Sequence, residues 1–388
     1  MDCLGFKDIT IPDHINTIEE CAFYDCSNLT SITIPDSVTS IGEEAFENCS
    51  NLMSITIPDS VRSIGEEAFR NCPSLKTITI PGSVTTIPQY AFQGCSSLTD
   101  IIIPEGVTQV SWGAFEDCSS LTSITLPASV KYIGGDMING CSEFKDLFYK
   151  GTLEQWCCIQ RSDFYYYNLY IDNQMVENIT IPNSITGILS YAFMGCSCLQ
   201  NVTIPDTVTS IDNYAFDRCK NLESITIMGS ITTIGEGVFI GCSNLTDITI
   251  PESVTSMGKK VFMNCSGLET VTIPGGITCI EEESFCKCTS LKSVIITKGV
   301  TTIGNAAFSG CSALESIFIP FTVTRIGRGA FSRCENLTEA TFESSGLTWY
   351  ITNNSNYNNG SSIGYMSGTD KSSNAKKLRD NSKKYLYH

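Results

Sequence analysis

Residues 45–75 read "AFENCSNLMSITIPDSVRSIGEEAFRNCPSL" and state one pattern nearly twice, with Phe46 and Cys49 returning as Phe69 and Cys72. The interval is general. Cysteines stand at 3, 26, 49, 72, 95, 118 and 141, and again at 196, 219, 242, 265, 288, 311 and 334, always 23 residues apart. A fixed period of this length is the signature of a repeat array, in which one short unit stacks on its copies. Length therefore does not count domains here, although 388 residues would otherwise suggest two or three.

Each unit carries two strand-like segments. In "SITIP", Ile32 and Ile34 alternate with Thr33, which turns isoleucine inward and threonine outward. Pro35 ends the segment because it cannot donate to a ladder. In "SVTSIG", Val38 and Ile41 point inward and Gly42 allows a turn, and "EEAFENC" reads as a short helical turn that sets Ala45, Phe46 and Cys49 on the core. A single unit cannot bury this apolar face, whereas stacked units bury it in columns. The phenylalanine column runs from Phe23 to Phe115 and from Phe193 to Phe331, with Ile138 standing once in its place. Cysteine is the small, weakly polar residue expected in a narrow corner of the coil.

The spacing "L-x-x-I-x-I-P-x-x-V-x-x-I-G-x-x-A-F-x-x-C" resembles the BspA-type leucine-rich repeat, known from surface proteins of bacteria and some parasitic protists. The likeness covers roughly residues 1–149 and 173–343. It implies a leucine-rich repeat solenoid, β-dominated with short helical turns, wound as a curved right-handed superhelix. It also implies adhesion to host matrix proteins or other cells, and a cell-surface or secreted location. Periodicity by itself gives the solenoid and nothing further.

The ladder breaks once. Cys141 and Cys196 are 55 residues apart where two repeats need 46, so nine are extra. Within the break, "GTLEQWCCI" reads as a short helix with Thr152 as N-cap, and "NLYID" resumes a strand. The segment resembles the "Y-x-G-T-x-E-Q-W" insert of the same family. Its aromatics Trp156, Tyr165, Tyr166 and Tyr167 either form a binding spot or cover an irregular coil from within, and the second reading is favoured. Past Phe342 the chain turns rich in Asn, Ser and Gly, yet "LTWYIT" has a strand pattern and "SNAKKLRDNSKKYLY" reads as a capped helix followed by a strand. The expected organisation is a first repeat block at 1–149, an aromatic insert at 150–172, a second block at 173–343 and a terminal cap at 344–388. Met1 begins mid-repeat, as expected of a chain cut from a longer protein or of an end covered by a partner, and no charged head with an apolar run follows it.

Composition excludes several functions. Forty-one Asp and Glu against 24 Lys and Arg give a formal charge of −17, which disfavours nucleic acid and adsorption to anionic membranes. No stretch is long enough for insertion into a bilayer. The chain has two histidines, His14 and His388, and no constellation for nucleophilic catalysis, so no enzyme activity is expected. The repeated acidic pairs, such as Glu43–Glu44 and Glu66–Glu67, are explained as solvent-facing repeat positions. Ladder thiols with parallel Cβ vectors make poor disulfide partners, and no paired C-x-x-C motif appears for zinc, so reduced thiols, no metal and no cofactor are expected. "CSC" at 196–198 and "CKC" at 286–288 each borrow one ladder member. N-x-[ST] triplets such as Asn28–Thr30 arise from the repeat itself.

The outward strand column is the surface with information in it. Threonine fills it at 10, 33, 56, 79, 125, 180, 203, 226, 249, 272 and 341, while Ile102, Phe148, Ile295 and Phe318 depart from it. Apolar groups on a solvated sheet either mark a contact site or record repeat drift. The candidate ligand-binding residues are therefore Ile102, Phe148, Ile295 and Phe318 on the strands, with Trp156 and Tyr166 in the insert. Two functions fit: a non-enzymatic adhesion module binding a host or cell-surface protein or a glycan, and an architectural scaffold with no dedicated ligand.

Overall fold

Each "SITIP" segment forms a three- or four-residue strand that pairs in parallel with its copy in a neighbouring coil. Ser54–Thr56 lies on Thr77–Thr79 and Asp100–Ile102 on Ser123–Leu126, residue for residue at the 23-residue interval. Ile55, Ile101 and Ile124 face inward and are buried, whereas Thr56 and Ile102 face out. After the proline the chain folds back at once, the Val38 amide donating to the Pro35 carbonyl at 3.1 Å. A second, two-residue strand follows, and Ser40–Ile41 pairs in parallel with Ser63–Ile64. Gly42 then meets the backbone of the coil before it. A Cβ there would lie 2.5 Å from the Glu20 nitrogen, so close approach, and not a special φ, requires glycine.

The "EEAFENC" segment is a row of tight turns and not a helical turn. Glu44 and Asn48 take φ of 52° and 61°, the left-handed region that interrupts a right-handed helix. Backbone amides in the row alternate in direction. Glu47 and Cys49 donate three residues back within their own coil, and Glu44, Phe46 and Asn48 donate to Glu66, Ala68 and Arg70 of the next. This alternation satisfies a backbone buried on one side without a regular ladder.

The structure, a computed structural model, describes residues 6–163, 166–343, 349–352, 365–366, 370–380 and 385–387. The chain divides into two compact units, Met1–Val176 and Glu177–His388. In the first, Phe46, Phe69, Phe92 and Phe115 are wholly buried and stack with centroids 5.2–5.5 Å apart and rings within 6° of parallel. Phe23 joins them, at 5.1 Å from Phe46. The second unit repeats this from Phe193 to Phe331, all of whose phenylalanines in the column are wholly buried.

The insert keeps both ladders of the first unit while redistributing its length. Gln160 pairs with Tyr132, 28 residues on, and Asn168 pairs with Asp146, 22 residues on. One limb of the coil is thus five residues longer than the repeat, and the turn row closing it is six shorter. The longer limb holds helix α1, Leu153–Cys157, whose Thr152 N-cap forms a full capping box with Gln155. The strand Asn168–Ile171 then turns back through Gln174–Met175, which pairs with it antiparallel. In the second unit the strand Tyr385–Tyr387 lies antiparallel to Arg325–Ile326 and to Trp349–Thr352. Helix α2, Lys371–Arg379, is capped by Asp370 and buries Ala375 and Leu378 completely. Of the expected cap at 344–388, residues 344–348, 353–364, 367–369, 381–384 and 388 lie outside the described residues.

Candidate interaction surface

Strand register decides which outward side chains meet. Ile102 pairs with Thr125, Thr125 with Phe148 and Phe148 with Tyr170. The antiparallel strand then brings Met175 opposite Tyr170. The first unit therefore carries one straight row, Ile102–Thr125–Phe148–Tyr170–Met175. At about 4.8 Å per strand it spans roughly 19 Å. Ile102 is 69% exposed and Met175 42%. Phe148 and Tyr170, both half-buried, stack on each other at 4.7 Å. Beside this row runs a polar one, Asp100, Ser123, Asp146 and Asn168, in which the Asn168 amide donates to the Asp146 carboxylate at 3.0 Å. Apolar groups with a polar border have the composition of a protein contact site.

In the second unit, Ile295 pairs with Thr272 and Phe318 with Thr341, on neighbouring strands one repeat apart. They are 58% and 46% exposed. Phe321, beyond the strand, is also exposed, with the Lys298 ammonium 5.4 Å from its ring centroid and 3.2 Å from Glu343. That lysine and the Phe321 amide hold the Glu343 carboxyl below its ordinary range, the amide contributing most.

The two insert candidates part company. Trp156 is 1% exposed and belongs to the core, so it is withdrawn as a contact residue. Its indole lies 5.3 Å from Tyr149 and under the Arg161 guanidinium, 3.9 Å from the ring centroid. Arg161 occupies the inward place of Ile133 and donates to the carbonyls of Trp156 and Ile159, so the large indole is needed to surround a buried cation. Tyr167 is equally buried. Tyr166 is exposed and lines a cavity of about 290 Å³ with Asp136, Ile138, Asn139, Gly140 and Asp163. Burial, and then the neighbouring Asp163, push the Asp136 carboxyl up.

Sequence spacing missed Tyr170 and Met175, because a 22-residue step and a hairpin bring them into line. It also missed what the cysteines do. The Cys72 thiol donates to the Phe46 carbonyl at 3.2 Å, and the Cys95, Cys242 and Cys311 thiols do the same to Phe69, Phe216 and Phe285. The described cysteines are all reduced. Cys141, at the last regular coil of the first unit, is only half-buried. Acidic groups gather at Glu44, Glu47 and Glu67, whose oxygens lie within 4.8 Å of one another. Arg70 stands among them, hydrogen-bonded to Glu67 and 3.9 Å from Glu47, so the cluster already has its counter-charge.

These parallel coils with outward strand rows define a leucine-rich repeat solenoid in each unit. The family description "BspA type leucine rich repeat region" matches residues 1–88, 63–171, 164–289 and 255–373, and the chain belongs to that family. Among solved structures it is similar to a leucine-rich cell surface protein of Faecalibacterium prausnitzii, at 31% identity and TM-score 0.50, over 75% of this chain and 88% of that one. It is similar also to a leucine-rich repeat protein of Bacteroides ovatus, at 28% identity and TM-score 0.52, over 86% and 80% of the two chains. No curated protein sequence matches it. Leucine-rich repeat proteins of this kind are commonly protein-interaction modules, and the repeat fold is typically non-catalytic. Among the described residues no helix is long and apolar enough to cross a membrane.

Proposed function

We propose that the chain is a non-enzymatic adhesion module that binds a host or cell-surface protein, or a glycan, through the outward strand rows. The observation carrying this reading is the row Ile102–Thr125–Phe148–Tyr170–Met175, where apolar and aromatic groups replace threonine at four of the five register positions and the last three are successive. Repeat drift would scatter such departures, and here they adjoin. A flat face of this kind binds through summed modest contacts with a few aromatic anchors, and needs no cofactor. The similarity to a protein described as a cell surface protein supports the same location for this one.

The test is a panel of immobilised matrix proteins and glycans, probed with the wild-type chain and with Phe148→Thr plus Tyr170→Thr. Both substitutions restore the repeat's own residue and leave the buried columns intact. Loss of at least tenfold in affinity for a bound panel member is expected. Unchanged binding would remove this row from the site, and loss only on Ile295→Thr plus Phe318→Thr would move the site to the second unit.

A further inference from the structure

The second, shorter ladder of the first unit carries a surface of its own. Its outward positions run Thr86–Gln109–Tyr132–Gln160 in register. The same position holds Thr17, Ser40 and Ser63 in earlier coils, and Gly187, Ser210, Thr233 and Ser256 in the second unit. Small residues thus give way to long polar and aromatic ones at Gln109, Tyr132 and Gln160. Trp112 stands beside them, in the column Glu43–Glu66–Gln89–Trp112–Gly135 that follows the 23-residue period. It is 44% exposed. A Cβ on Gly135 would lie 3.1 Å from the indole Cζ2 and Cη2, so glycine is what lets the ring lean along the stack. Trp112, Tyr132, Gln109, Gln89 and Glu66 line a groove of about 410 Å³, within the ~300–1,000 Å³ of small-ligand clefts. In the second unit the Trp112 column closes on itself. The Glu236 amide donates to Asn213 Oδ1 at 2.7 Å, Lys259 to Glu282 at 3.1 Å, and the Arg328 amide to Asn305 Oδ1 at 2.9 Å. In the first unit the side chains of Glu66, Gln89, Trp112 and Tyr132 have no hydrogen-bond partner among the described residues. Gln109 donates to Ser111 Oγ at 3.0 Å, which fixes its carboxamide and leaves the oxygen to accept.

We infer that this groove binds a neutral oligosaccharide, with one pyranose ring laid on the Trp112 indole and its hydroxyls on Gln89, Gln109 and Tyr132. A pyranose has faces of C–H groups and a rim of hydroxyls, each of which donates and accepts. The indole face is the negative side of its quadrupole and meets the C–H face. A carboxamide offers a donor and an acceptor in one plane, which suits two adjacent hydroxyls. Sugar is favoured over peptide because the strand beneath is paired on both sides, Gln109 with Thr86 and with Tyr132, so no ladder edge is open to an added strand. A neutral sugar is favoured over an acidic one because Glu66 lines the groove, no lysine or arginine does, and the chain carries a formal charge of −17. The inference takes up the glycan half of the proposed function and places it on a different ladder from the row Ile102–Thr125–Phe148–Tyr170–Met175.

The experiment is calorimetric titration of the full chain with neutral tetrasaccharides of glucose, galactose, mannose and xylose, with tetragalacturonate as the acidic sugar, and with the acetylated hexapeptide Ala-Gly-Lys-Ala-Gly-Lys. Saturable binding of at least one neutral tetrasaccharide is expected, weakened about tenfold or more by Trp112→Ala and about fivefold by Gln109→Ala, and kept within about threefold by Trp112→Phe. Trp112 is exposed, so its replacement should leave the thermal melt unchanged. Fluorescence reads the site directly. The acrylamide-quenchable emission that Trp112→Phe removes should be shielded at saturating sugar, and undiminished quenching in the complex would overturn the placement. No saturable binding of any neutral sugar, binding indifferent to Trp112→Ala, or tighter binding of tetragalacturonate or of the peptide would each overturn the proposal. Phe148→Thr plus Tyr170→Thr should leave sugar binding unchanged. Loss of sugar binding on that pair alone would overturn the inference and leave the strand row as the site, so the two surfaces fail or stand separately.

Discussion

Asp217→Asn should stabilise the second unit at neutral pH. Asp217 directly follows Phe216 in its turn row and is 4% exposed. In the first unit the same column is polar, and at its later coils Gln93 and Asn139 both donate to Glu116, at 3.0 and 3.2 Å. In the second unit its neighbours one repeat away are Met194 and Ile240. One Asp217 carboxylate oxygen has no hydrogen-bond partner, and the Arg218 guanidinium approaches only to 3.9 Å. Burial raises the carboxyl from 3.8 to about 6, with Arg218 opposing. A rise of that size corresponds to roughly 3 kcal/mol between the protonation states. The folded state thus holds its proton more tightly than the unfolded chain. The penalty is absent below about pH 4, grows as pH rises through the interval, and is complete above about 6. The asparagine variant, which never ionises, should exceed the wild type by about 1–3 kcal/mol at pH 7.5 and match it near pH 4. Urea titrations followed by circular dichroism across that range measure the difference, and hydrogen exchange at the Phe216 row localises it. Equal stability at pH 7.5, or a gain larger at pH 4 than at pH 7.5, would refute the reasoning.

Phe69→Ala removes a wholly buried ring stacked on both sides and should cost about 3–5 kcal/mol, with exchange protection lost first in the adjoining coils. Native-state alkylation should modify the exposed Cys158 and, more slowly, Cys21, whose thiol donates to Glu44 at 3.3 Å and is raised by that contact. Cys95 and Cys242 should react only on unfolding, and their rapid labelling in mass spectra of the native chain would contradict the burial. Thr152→Ala deletes the capping box of α1 and should lower stability of the first unit by about 1 kcal/mol, read from its urea midpoint.

What was legible in the sequence was whatever repeats at a constant interval. The columns of Phe46 and Ile55 could be read off directly, because one position speaks for all its copies. Thr152 was legible for another reason: a threonine followed three residues later by glutamine is a local signal that needs no tertiary context. Tyr170 was not, since it joins the row of Phe148 at a step of 22, and the period that organises every other column points past it. Trp156 was carried as a contact candidate beside the favoured reading that it covers the coil from within, because an aromatic cluster looks alike from either side. The deciding residue was Arg161, a cation in an inward position that a stacked ring, two carbonyls and a hydrogen bond with the Tyr167 side chain make tolerable. The turn rows looked helical in sequence because Ala45, Phe46 and Cys49 have helical spacing. Left-handed φ at Glu44 and Asn48 instead turns alternate amides toward the next coil.

Cysteine recurs for a reason that spacing alone does not contain. The carbonyl of Phe46 accepts the Cys49 amide within its own turn, at 3.3 Å, and still has a lone pair directed along the stack. The next coil presents Cys72 there, and its thiol fills that lone pair. Valine would fit the corner and leave the carbonyl half-satisfied, whereas serine would bring a hydroxyl with a larger desolvation cost into an otherwise apolar corner. Cysteine alone is apolar enough for complete burial and still donates. The same burial sets the chemistry of the thiols: Cys95, Cys242 and Cys311 are held well above the ordinary thiol range, first by desolvation. Since the thiolate is the reactive form, a buried donor of this kind resists oxidants that would convert an exposed thiol. A chain with many free thiols is ordinarily read as belonging to a reducing compartment. Here the ladder thiols are structural hydrogen-bond donors inside a packed column, so their number does not weigh against a place on the cell surface.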